Sequence, residues 1–62
     1  MDEKIGFPKQ RKYKIEIVKK DYKVKEVSEG IGCNYSLLSQ YINGRMHMPE
    51  IVKENLDEFL GL

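Results

Sequence analysis

The chain holds one cysteine among its 62 residues, Cys33, so no internal disulfide can staple it, and a reducing setting is expected. Long apolar runs are also missing. The start, Met1-Asp2-Glu3-Lys4, is charged, so neither a secretory signal nor a membrane span is expected and the predicted location is cytoplasmic. There is no glycine-rich phosphate cradle, no internal repeat and no long heptad pattern. His47 has no second histidine and no paired cysteine at ligand spacing, which argues against a metal site, and no cofactor is expected. Cys33 follows a glycine at a turn, where a small apolar side chain plugs a gap between helices; it reads as core rather than nucleophile, and no enzyme is expected. Asn34-Tyr35-Ser36 matches the glycosylation sequon, a coincidence in a cytoplasmic chain.

What is present is small, helical and electrically lopsided. A chain of this length forms one domain, near the size at which only about 60% of the unfolded surface is buried. The net charge is only +1, but its placement is uneven. From Lys9 to Lys25 eight basic residues face two acids, a net +6; from Glu26 to Leu62 two basic residues face six acids, a net −4. A lysine-rich stretch is often just a solvated face, and its meaning depends on what it stands beside.

Periodicity predicts an all-α fold, a compact bundle of four to five short helices. Residues 1–8 are predicted to be an arm, with Gly6 and Pro8 breaking any early helix and Phe7-Pro8 docking on the body; residues 9–62 form the domain. A first helix over about 9–20 is read from Tyr13, Ile17 and Val18, at spacings of four and five, and from Ile15 with Val18 at three; a strand start at Ile15-Glu16-Ile17 is the weaker reading, and Asp21-Tyr22 breaks the helix. In the second helix Val24, Val27, Ser28 and Ile31 share the core face, with Ser28 small because two helices meet there. Gly32 supplies the left-handed exit. The third helix, over about 35–43, is capped by Asn34. It turns Leu38 and Tyr41 inward, with Leu37 or Ile42 partly supporting them, and Asn43-Gly44 stops it. After a loop over 45–48 with Met46 and Met48 at the core edge, Pro49 opens a last helix. Its core face is predicted to be Val52, Leu56, Phe59 and Leu60, with Ile51 beside them, and Gly61 ends it.

Two short helices joined through Gly32-Cys33-Asn34, over about 24–43, outline a helix-turn-helix, the unit that lays its second helix in the DNA major groove. The outer face of that second helix holds Ser36, Ser39, Gln40 and Asn43 and no charge. Amides pair with adenine and hydroxyls serve bases or phosphates, although the same residues also make an ordinary polar surface.

The ordered set Val27, Ser28, Ile31, Gly32, Cys33, Leu38 and then Ser39-Gln40-Tyr41-Ile42-Asn43-Gly44-Arg45, followed by Pro49, resembles the helix-turn-helix domain of the Cro and phage-repressor type. The resemblance covers Tyr22 to about Leu60 and implies a lambda-repressor-like bundle that binds double-stranded DNA as a sequence-specific transcriptional regulator. It implies base contacts from Asn34, Tyr35, Ser36 and Gln40, and backbone contacts from Ser39, Asn43 and Arg45. The basic stretch adds backbone contacts from Lys12, Lys14, Lys23 and Lys25. The chain departs from the family where Val24 replaces the polar residue that grips a phosphate, which shifts that role to Lys23 or Lys25, and where Ile42 stands in place of a common glutamate. A homodimer is expected to use Phe59, Leu60 and Leu62, setting two recognition helices about 34 Å apart. A different reading stays open: a protein-interaction module carried by the uncharged third helix, an exposed Ile42 and the acidic last helix.

Overall fold

A computed structural model describes residues 6–62 of the chain. A 3₁₀ turn over Pro8–Gln10 leads into α1 (Arg11–Lys19), followed by α2 (Val24–Ile31), α3 (Tyr35–Ile42) and α4 (Glu50–Leu60). The described residues are all-helical, with no strand among them. None of these helices is long and apolar enough to cross a membrane.

Each helix ends by the same local device. After α1 the amides of Asp21 and Tyr22 donate back to the carbonyls of Val18 and Ile17, both at 3.0 Å. The pairs Gly32 and Cys33, Gly44 and Arg45, and Gly61 and Leu62 repeat that pattern after α2, α3 and α4. This two-bond closure requires positive φ at its first residue. Asp21 sits at φ 64°, Gly32 at 69°, Gly44 at 78° and Gly61 at 73°. Three of the four positions carry glycine, and the fourth carries aspartate, one of the few side chains that tolerates this region. The chain is thus cut into short helices by signals written locally, and packing then decides their orientation.

The core is built from Tyr13 and Ile17 of α1, Val27 and the small Ser28 of α2, Leu38, Tyr41 and Ile42 of α3, Met48, and Leu56 and Leu60 of α4. Ser28 is buried where α2 meets the core, and its hydroxyl donates to the Lys25 carbonyl at 2.7 Å, so the one buried polar side chain there is satisfied within its own helix. Val24, Ile31, Cys33, Val52 and Phe59 close the margins.

Several expected placements are corrected. Ile15 and Val18, counted in the apolar pattern of the first helix, are 65% and 68% exposed: Tyr13 and Ile17, one turn apart, define the inward line, Val18 lies about 100° round the helix from Ile17, and Ile15 lies opposite. Ile51 is exposed rather than seated beside Val52. Ile42, expected to be partly supporting or exposed, is 1% exposed, so the interaction reading loses that feature. Leu37 stands outside instead. Leu60 is 3% exposed and belongs to the core, and Phe59 packs on Tyr22 with ring centroids 5.2 Å apart. Of the expected homodimer surface Leu60 is buried, Phe59 is half-buried and Leu62 is exposed, so the three do not share one exposed face.

Candidate nucleic-acid interface

The turn from α2 to α3 is Gly32-Cys33-Asn34. Asn34 caps α3: its side-chain oxygen accepts the amides of Ser36 at 2.9 Å and Leu37 at 3.2 Å. That oxygen is therefore engaged, and only its NH₂ group is left to act outward. Cys33 packs against the core margin, and burial pushes its thiol above the ordinary value, which keeps it a neutral plug.

Leu38, Tyr41 and Ile42 turn inward, which fixes the phase of α3. At about 100° per residue, Ser36, Gln40 and Asn43 then lie along the opposite line, with Ser39 beside them. Exposed Tyr35 and Leu37 flank this line on its two sides. The face is free of formal charge, as expected. Asn43 is more occupied than expected. Its NH₂ donates to the Ser39 carbonyl at 2.7 Å, and its oxygen accepts from the Lys14 ammonium at 3.0 Å. The second bond matters because it brings a cation from α1 to the C-terminal end of the α3 face.

Lys12 goes elsewhere. Two positions from Lys14 on α1, it turns about 200° away, over its own Tyr13 ring at 5.2 Å, into a groove shared with Lys9, His47 and Lys53. Lys12 and Lys14, both expected to contact the DNA backbone, are thus on different sides of the helix. Lys23 and Lys25 stand at the start of α2, where Glu26 accepts the Lys23 amide at 3.2 Å. Arg45 follows Gly44, its amide donating to the Gln40 carbonyl at 3.0 Å.

Gln10 gives no signal in the sequence and is central to the site. Its NH₂ donates to the carbonyls of Tyr41 at 2.7 Å and Met46 at 2.8 Å, and its oxygen accepts the Met48 amide at 2.8 Å. One side chain therefore ties the start of α1 to the end of α3 and to the loop that follows. The Phe7 amide adds a bond to the Gly44 carbonyl at 3.0 Å, and its ring meets His47 edge-on. The docking expected of Phe7-Pro8 is present at Phe7, while Pro8 opens the 3₁₀ turn; residues 1–5 of the predicted arm lie outside the described residues. Among the described residues no group of three His, Cys, Asp or Glu side chains is placed to hold a metal.

No protein-family model, curated protein or solved structure matches this chain.

Proposed function

We propose that the chain is a small sequence-specific DNA-binding regulator whose α2–turn–α3 unit acts as a helix-turn-helix of the phage-repressor and Cro type. The single observation that carries this reading is the uncharged Ser36–Gln40 line on the outside of α3, with the Lys14 ammonium anchored at its end by Asn43. Hydroxyl and amide groups on a short exposed helix suit base edges in the major groove, and a cation held beside them suits the phosphate that borders the groove.

In this reading Ser36 and Gln40 read bases, together with Tyr35 and the free NH₂ of Asn34. Lys14, Lys23, Lys25 and Arg45 face phosphates. Asn43 and Ser39 act on the backbone indirectly, by fixing Lys14 and the end of α3. Lys12, on the other side of α1, has no part. The acids on the outward side of α4 keep that helix away from the duplex.

Selection of bound fragments from random duplexes tests the proposal. A preferred site is expected, with affinity that falls by about 0.9 log units per log unit of salt for each phosphate neutralised. Gln40→Ala is expected to weaken binding to that site by about 1 to 3 kcal/mol and to leave random DNA unchanged. Lys14→Ala should weaken both alike, and Lys12→Ala neither. Failure to enrich any site, or a Gln40→Ala chain with unaltered preference, overturns the assignment.

A further inference from the structure

The outward faces of α1 and α4 are opposite in character and alike in dimensions. With Tyr13 and Ile17 inward, α1 points Ile15 directly away from the core and Val18 to one side of that direction, and they are 65% and 68% exposed. Arg11 and Lys19 stand at the two ends of this apolar pair, Lys19 also pairing with Glu16 of its own helix at 3.8 Å. They are eight residues apart, about 12 Å along the axis. On α4, where Leu56 and Leu60 turn inward, the outward side carries Ile51, 62% exposed, with Glu54 one turn on. Glu50 and Glu58 close its ends, again eight residues and about 12 Å apart. Within one chain these faces cannot meet, because α1 and α4 are joined on their inner sides by the Tyr13 hydroxyl, which donates to Asp57 at 2.8 Å.

We propose that the α1 outward face docks the α4 outward face of a second copy of the same chain, head to tail. A second copy is the occupant singled out by charge: an apolar pair with cations at its ends calls for an apolar spot with acids at matching separation, and α4 presents one. The same complementarity disfavours α1 against α1 or α4 against α4, since each would set like charges together. The contact is heterologous, so each chain has one face of each kind and the assembly extends beyond a pair, as an open row or, where the rotation closes, a ring. Two short helix faces fall below about 1,200 Å² of buried surface, so the association is weak and dynamic. It leaves the Ser36–Gln40 line uncovered but borders Lys14, which lines the same α1 groove, and the docking itself does not depend on whether the chain binds DNA.

Two variants separate this geometry from every other mode of association. Ile15→Glu spoils the α1 face and leaves α4 intact; Ile51→Lys does the reverse. Both positions are exposed, so each variant is expected to keep its fold, which circular dichroism checks. Sedimentation at low salt, from about 10 μM to about 1 mM, is expected to show the wild-type chain growing in mass with concentration and losing this growth at about 1 M salt, where charges are screened beyond about 3 Å. Each variant alone stays a monomer. Their equimolar mixture forms a dimer that grows no further, because the intact α4 of one variant meets the intact α1 of the other. A wild-type chain that is monomeric throughout overturns the proposal, as does a mixture that stays monomeric. Ile51→Lys self-association as strong as wild type would instead mean pairing through α1 alone, and would also refute it.

Discussion

The ring of Phe59 fills the space that a β-carbon on Gly30 would need, so these two residues set how closely α2 approaches α4. On helix propensity alone, Gly30→Ala should stabilise the chain by about 1 kcal/mol. Here the new methyl group meets the edge of the Phe59 ring, which is itself held against Tyr22. Overpacking of this kind costs about 1 to 3 kcal/mol, so a net loss of about 1 kcal/mol is expected. In a Phe59→Ala background the obstruction is gone, and the same substitution should become stabilising. Urea denaturation of the four proteins measures the coupling, and additive effects would contradict it.

The helix closures at Asp21 and Gly32 predict opposite responses. Asp21 occupies φ 64° with a side chain, and Gly32 occupies φ 69° without one. The left-handed region costs a residue with a β-carbon about 1 to 2 kcal/mol. Asp21→Gly is therefore expected to stabilise by about 0.5 to 1 kcal/mol, with the entropy of the unfolded chain offsetting part of the gain. Gly32→Ala is expected to destabilise by about 1 kcal/mol. Midpoints of thermal unfolding that move in the same direction for both variants would refute this account of the turns.

Gln10 is expected to be the most sensitive polar side chain. Gln10→Ala strands the Met48 amide and removes a donor from the Tyr41 and Met46 carbonyls, at a cost of about 2 to 3 kcal/mol. Gln10→Glu keeps the acceptor for Met48 but turns a carboxylate toward two carbonyls, and should be nearly as harmful at neutral pH. Hydrogen exchange at the Met48 amide reads the staple directly. Protection there that survives Gln10→Ala would show that another group holds the loop.

Tyr13 makes stability depend on alkaline pH. Burial, then the bond to Asp57 and the nearby charges of Asp57 and Glu50, push its phenol from 10.0 to about 12. Folding thus favours the protonated phenol. Its contribution is fully present below about pH 10 and is lost as the pH rises toward about 12. Tyr13→Phe should destabilise by about 2 kcal/mol near neutrality, where a hydrogen bond to a charged group is removed. The difference between wild type and variant should then shrink across that alkaline window. A difference that stays constant would place the pH dependence elsewhere.

Local signals in the chain were strong enough to read, and tertiary ones were not. Gly32, Gly44 and Gly61 each announce a helix end because only the backbone at that residue is involved, and Asn34 announces a cap because its partners lie two and three residues away. The phase of each helix was harder. Where apolar residues are adjacent, as in Ile17-Val18, Tyr41-Ile42 and Ile51-Val52, an eight- to eleven-residue helix offers too few turns for periodicity to choose between them. The opposing helices decide, burying Ile17 but not Val18, both Tyr41 and Ile42, and leaving Ile51 outside. Phase also separates Lys12 from Lys14, which look equivalent as letters. Gln10 is illegible for a different reason: its partners lie 31 to 38 residues away, and nothing beside it marks the contact.

The most direct measurement of the central claim is amide chemical-shift mapping of the chain titrated with its selected duplex in dilute buffer. The account predicts that the largest shifts fall on residues 34–40 and on the start of α2, with the Lys14 side chain moving as well and the outward side of α4 silent. Shifts concentrated on α4, or a spectrum unchanged by any duplex, would contradict it.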